Sequence, residues 1–264
     1  MKTLLVTGTD TNVGKTWVTS LLVREFRRWG INTGAYKPVC SGAEKNSEGD
    51  VVWADIEALR SACGTEPEID LVCPQRFHAA VAPNIAARME NRCVDSQLLT
   101  DGVARWSSRV DQLVIEGAGG IFCPLSDQLT VMDIAVELKT PTIVVAANRL
   151  GVINHTRLTV EALQTHGVAV VAIVLNEIGP PVGSSFQAEG LESFGYASPD
   201  GSRRSAISGG DAGLVAQEGF DPSTPTNAAQ IRHWLPKIPL FHCPWRGTEI
   251  ASVSETSSLM DLLK

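Results

Sequence analysis

The chain has 264 residues, 22 lysines and arginines against 29 aspartates and glutamates, and 44% hydrophobic side chains, enough to bury one large α/β core and to exclude disorder of the whole. Its formal charge of −7 argues against a broad basic surface for nucleic acid or anionic lipid, so an anionic ligand must be held locally. Six cysteines with no CxxC pair and no regular spacing speak against a zinc site or a disulfide framework.

The apolar run at the N-terminus is interrupted at Thr7–Asp10, too early for a secretory segment, and no later stretch is long and apolar enough to span a bilayer. The expectation is a soluble cytoplasmic protein with reduced thiols.

Thr3–Thr7 is a short β-prone run that leads through a glycine-rich turn into a helix, where Val18, Leu22 and Phe26 recur at i, i+4 until Gly30. Gly34–Val39 reads as a second strand, Asp55–Cys63 as a short helix closed by Gly64, and 95–109 as weakly helical. Asp111–Glu116 is predicted as a strand ending in a carboxylate, Val131–Leu138 as a helix and Thr142–Ala147 as an apolar strand. Asn154 is expected to cap a helix running to His166, and Val168–Leu175 to form another apolar strand. Unalternating strands separated by helices predict a single α/β domain with a mostly parallel sheet covered on both faces.

After Pro180-Pro181 the composition changes: 15 of the 40 residues at 181–220 are Gly or Ser and no periodicity is sustained. A flexible insertion over 181–226 is expected, since structureless loops beyond about 12–15 residues are uncommon in compact domains. A helical stretch from Asn227 to Leu235 and a short strand near Ile238–Phe241 close the domain, and the last residues could form two helical turns.

The turn between the first strand and the first helix reads Gly8-Thr-Asp-Thr-Asn-Val-Gly14-Lys15-Thr16. It stands where a phosphate-binding loop must stand: backbone N–H groups cradle phosphate oxygens, Lys15 reaches the β and γ phosphates, and the Thr16 hydroxyl faces Mg²⁺. Five residues separate its glycines instead of the usual four.

Glu116 is placed like the acidic residue that completes a Mg²⁺ shell, or is a hydrated strand-end carboxylate. Lys37, steered into extended geometry by Pro38, is either an exposed strand-end lysine or a second cation near the γ-phosphate. Asp55 reads as a first-turn dipole partner, Asn154 as a helix cap or part of a carboxylate-binding helix terminus, and Asn176 as a turn residue or an adenine contact.

Taken together, GTDTNVGKT, YKPVCSG, VIEGAGG, LGVINHT and VLNE resemble, in order and spacing from residue 1 to about 178, the dethiobiotin synthetase family. The resemblance implies a P-loop fold, a homodimer, and conversion of 7,8-diaminononanoate, CO₂ and ATP, with Mg²⁺, into dethiobiotin, ADP and phosphate. It makes Lys15 and Lys37 the catalytic cations and Thr16, Asp55 and Glu116 the metal shell. Thr11, Asn12, Val13, Gly14, Lys15, Thr16, Trp17, Asp55, Glu116, Gly117, Ala118, Gly119, Asn176, Pro244 and Trp245 would hold the nucleotide. Ser41 would touch the substrate, and Gly151, Val152 and Asn154 of the partner subunit would hold its carboxylate. Asn12 stands where that family often has Glu, and Asn84, after Pro83, where it often has His.

Two other readings weigh less. An amide-forming ligase of the cobyrinate amidotransferase kind would carry a glutaminase domain with a nucleophilic cysteine, and no second domain fits here. A partitioning or division-site ATPase would place an additional lysine where Thr9 or Asp10 stands.

Overall fold

The computed structural model describes residues 1–179 and 221–253, with 259 and 263. Residues 181–220 of the insertion expected over 181–226, and most of the terminal helical turns, lie outside the described residues. In chain order the elements are β1 (Lys2–Gly8), α1 (Lys15–Arg28), β2 (Thr33–Tyr36), β3 (Cys40–Ser41), β4 (Glu44–Lys45), β5 (Val51–Val52), α2 (Ala54–Ala62), α3 (Ile69–Val72), β6 (Arg76–Phe77) and α4 (Pro83–Met89). There follow α5 (Ser96–Ala104), β7 (Gln112–Gly120), α6 (Val131–Leu138), β8 (Thr142–Ala147), α7 (Val152–Thr165), β9 (Val170–Asn176), α8 (Thr224–Trp234), β10 (Leu240–Cys243) and β11 (Ala251–Ser252).

Seven strands form one sheet in the order β11-β10-β9-β8-β1-β7-β2. All neighbours pair parallel except β10 with β11. Central position explains the sequence pattern: a strand with helices over both faces has no solvent side, so Leu4–Val6, Leu113–Ile115, Ile143–Ala146 and Ile173–Leu175 run apolar without alternation and are at most 2% exposed. This apolar slab carries most of the hydrophobic stabilisation, at roughly 25 cal/mol per Å² of apolar surface removed from water.

Element ends differ from the periodic reading where a backbone donor is missing or is used elsewhere. β2 stops at Tyr36, short of the expected Val39, because the Lys37 N–H bonds to the Val72 carbonyl and Pro38 has no N–H; Cys40–Ser41 then pairs with β6 in a separate two-stranded sheet. Val168 lies three residues past α7 and still closes its last turn, its N–H on the Leu163 carbonyl, so β9 starts at Val170. β10 begins after Pro239 and reaches Cys243.

Two expectations are corrected. Asn154 does not cap α7: Gly151, at φ 93°, is the cap, and Asn154 lies inside the first turn. The insertion does not extend to residue 226, because α8 starts at Thr224 with Pro225 in its first turn, where a fixed φ and a missing N–H cost nothing. Short pieces such as α3 and α4 had no periodic signal.

Close packing makes one glycine a sensitive stability test. A Cβ on Gly102 of α5 would stand 2.0 Å from the Tyr36 Oη, which donates to the Leu98 carbonyl at 2.7 Å from a fully buried ring. Gly102→Ala is expected to destabilise the fold by roughly 1–3 kcal/mol through overpacking; an unchanged urea midpoint would show that Tyr36 yields without cost.

Candidate active site

The carboxyl ends of β1, β2, β7, β8 and β9 share one edge of the sheet, the place where open α/β folds bind ligands. Parallel pairing puts Val6 opposite Glu116, so the carboxylate of β7 stands beside the turn that leaves β1. That turn enters α1 through Gly14 at φ 92°, a left-handed conformation natural to glycine. A Cβ there would lie 2.1 Å from the Asn176 Nδ2, which donates to the Val13 carbonyl at 3.0 Å. The first N–H groups of α1 have no partner within the helix and, with the helix dipole, make an anion site.

Beside the loop is a polar cavity of about 610 Å³. Thr11, Asn12, Gly14, Lys15, Thr16, Lys37, Ser41, Asp55, Ala118 and Gly119 line it, so residues far apart in the chain converge there. The Lys37 ammonium is buried, 2.5 Å from Asp55 Oδ2 and 2.6 Å from Glu116 Oε1. Glu116 Oε1 also accepts the Thr16 hydroxyl at 2.8 Å, and the Lys15 Nζ donates to the Asp10 carbonyl at 2.9 Å.

Burial disfavours the Lys37 charge, but Glu116 and Asp55 outweigh it and hold its pKa above the ordinary lysine value. Burial pushes Asp55 up, and Lys37, by charge and by hydrogen bond, more than reverses this and leaves it below its ordinary value. Lys15 is pulled below its ordinary value, mainly by burial, with Glu116 opposing and Lys37 reinforcing. Cys40 and Cys123 also line the cavity, yet burial pushes the Cys40 thiol up to about 11 and raises Cys123. These thiols are protonated near neutral pH and are poor nucleophiles.

Residues 2–207 match the family described as AAA domain. The ATP-dependent dethiobiotin synthetase BioD of Anaeromyxobacter sp. (strain Fw109-5) is 43% identical over 178 residues, 67% of this chain and 77% of its own. The chain belongs to the dethiobiotin synthetase family. The BioD of Anaeromyxobacter sp. (strain K) is 42% identical over 245 residues, 93% of this chain and 91% of its own. Among solved structures, the septum site-determining protein MinD of Pyrococcus horikoshii OT3 aligns at a TM-score of 0.41 and 16% identity over 66% of this chain and 70% of that one, too distant to bear on function.

As a dethiobiotin synthetase family member, the chain places its other candidate residues in three groups. Val13, Glu116, Gly117 and Asn176 are buried at the loop and the strand ends and do not border the cavity. Trp17, Pro244 and Trp245 lie outside the cavity lining, with Trp17 and Trp245 partly exposed. Gly151, Val152 and Asn154, at the start of α7, do not border this protomer's cavity either. The Ser41 Oγ donates to the Val81 carbonyl at 2.6 Å at the rim.

Asn84 turns from the cavity and donates to Asp127 Oδ1 at 3.3 Å. Sequence reasoning missed Glu44 and Cys123 as lining residues. It also missed Asp10, whose carbonyl holds Lys15 and whose carboxylate lies 3.5 Å from the Arg149 guanidinium. Only the position of Asp10 inside the loop hinted at it.

Proposed function

We propose that this protein is an ATP-dependent dethiobiotin synthetase, a C–N ligase that joins 7,8-diaminononanoate and CO₂ as ATP is split to ADP and phosphate. The observation that carries the reading is the pair of buried lysines, Lys15 and Lys37, facing one cavity beside a phosphate loop, with Lys37 fixed between two carboxylates.

An alkyl amine with a pKa near 10.4 is unprotonated in only about one molecule in 10³ at pH 7, and only that form attacks CO₂. The ammonium groups of Lys15 and Lys37 lower the pKa of an amine bound beside them and so enlarge the reactive fraction. The carbamate oxygen attacks the γ-phosphorus and ADP leaves, giving a carbamic–phosphoric anhydride. The second amine then attacks the carbonyl carbon, phosphate departs and the ureido ring closes. The loop N–H groups and Lys15 hold the phosphates, and Lys37 neutralises charge where the γ-phosphoryl group transfers; positioning and charge dominate such steps.

The donors suit Mg²⁺. Glu116 Oε2 is buried with no hydrogen-bond partner, and it joins the oxygen donors of Thr16 and Asp55. No cluster of three or more His, Cys, Asp or Glu suited to a metal occurs among the described residues; Thr16, Asp55 and Glu116 would hold the ion together with substrate phosphates and water, the usual surroundings of Mg²⁺. When bound, Mg²⁺ neutralises phosphate charge.

The nucleotide lies along Thr11–Trp17 and Gly117–Gly119, its base toward Asn176, Pro244 and Trp245, while Ser41 touches the diamine. The working assembly is a cytoplasmic homodimer in which Gly151, Val152 and Asn154 of the partner subunit hold the substrate carboxylate. The side chains of Leu150 and Leu158, 79% and 58% exposed beside and on α7, are what a second copy would cover.

The test is phosphate release from Mg-ATP by the purified protein with and without the diamine plus bicarbonate, with dethiobiotin followed by mass. One phosphate per dethiobiotin is the expected result; ATP turnover indifferent to the diamine would overturn the reading.

A further inference from the structure

Residues 148–150 connect β8 to the cap of α7, and each has a partner on the segment that follows the composition change. Asn227 of α8 is only 2% exposed. Its Nδ2 donates to Asn148 Oδ1 at 2.9 Å, to Ser223 Oγ at 3.2 Å and to the Arg149 carbonyl at 3.5 Å. The same carbonyl accepts the Val152 N–H of the first α7 turn at 3.1 Å. Asn148 in turn donates to Glu177 Oε1 at 2.6 Å and the Thr224 carbonyl at 3.3 Å, and the Leu150 N–H donates to Asp221 Oδ2 at 2.5 Å.

We infer that Asn227 is a positioning residue for the substrate carboxylate: it holds 148–150 in the shape that aims the N-terminal turn of α7, with Gly151, Val152 and Asn154, at that group. The inference rests on the dethiobiotin synthetase reading. Helix N–H groups favour an anion only when they point at it, and a misplacement of about 1 Å costs on the order of 10²-fold in a positioned reaction.

Asn227 acts as donor in all three of its side-chain contacts. An isosteric acceptor would therefore face the Asn148 oxygen and release the loop without changing the volume. The nucleotide side meets this loop through the Asn148 N–H, which donates to the Asn176 carbonyl at 2.8 Å, a main-chain bond at the strand ends that the Asn227 side chain does not make. The link between the two through a side-chain ion pair is Arg149 with Asp10 at 3.5 Å, both about half exposed, and exposed pairs contribute little.

The experiment compares wild type with Asn227→Asp, which replaces the donor by an oxygen of the same size, and with Asp221→Asn, which weakens the Leu150 contact at a less buried position. Apparent KM is measured for 7,8-diaminononanoate, for ATP and for the decarboxylated diamine. The expected result is a diamine KM raised roughly 10–100-fold, ATP KM within about twofold, and the decarboxylated diamine used equally by all three proteins. Asp221→Asn should shift the diamine KM in the same direction by less, and it carries the test if Asn227→Asp does not fold. A diamine KM that does not move, or one that rises equally for the decarboxylated diamine, overturns the inference and leaves Asn227 as a structural tie of α8. Wild type without diamine-dependent phosphate release overturns the synthetase reading and this inference together.

Discussion

Replacing Lys37 by glutamine is expected to lower turnover by about 10²–10³-fold, the usual effect of removing one preorganised charge from a transition state, with the KM for ATP changed only a few-fold. Two features predict this split. The Lys37 ammonium is fixed by Asp55 and Glu116 at 2.5 and 2.6 Å and is charged at neutral pH, so it does not have to be ordered or protonated during the reaction. In the proposed function ATP, by contrast, has the loop N–H groups and Lys15 as independent holds. Steady-state kinetics with ATP and diamine varied separately checks it. Equal losses in kcat and in ATP affinity would show that Lys37 only binds nucleotide.

Glu116→Gln should have the second large effect, and of a different kind. The amide keeps the size and an oxygen for Thr16 and Lys37, which both bond Glu116 Oε1. It removes the negative charge and replaces the unpartnered Oε2 by a donor. The Mg²⁺ concentration needed for half-maximal nucleotide binding is expected to rise roughly 10–100-fold, since even outer partners of metal ligands cost this much. Stability should fall by about 1–3 kcal/mol as the buried Lys37 keeps only Asp55 as a charged partner. Tryptophan fluorescence, with Trp17 directly after the loop, follows nucleotide binding across a Mg²⁺ titration, and a urea melt gives the stability. An unchanged Mg²⁺ requirement would remove Glu116 from the metal shell and leave it as the counter-ion of Lys37.

The parallel sheet, the loop and its cation Lys15 were legible in the sequence for a local reason. Strand burial on both faces writes unalternating apolar runs, a helix writes its period, and a phosphate loop needs glycine at Gly14 followed at once by Lys15 and Thr16, so each message lies within a few consecutive residues. Glu116 was legible because it is the first charged residue after a buried run in β7. Element ends were less so: Lys37 leaves β2 because its N–H finds Val72, a partner 35 positions away that no window around β2 contains.

Packing alone brought Asp55 onto the ammonium of Lys37, turned Asn84 to Asp127 and away from the cavity, and gave the capping position of α7 to Gly151 instead of Asn154. It also joined Asn227 to Asn148 across 79 residues of chain. A buried polar group must find a partner wherever the fold supplies one, and that requirement acts on distance in space. Composition and periodicity decide which residues go inside and in what element; which buried charge meets which, and therefore what the cavity can do, is settled only when the strands are laid side by side.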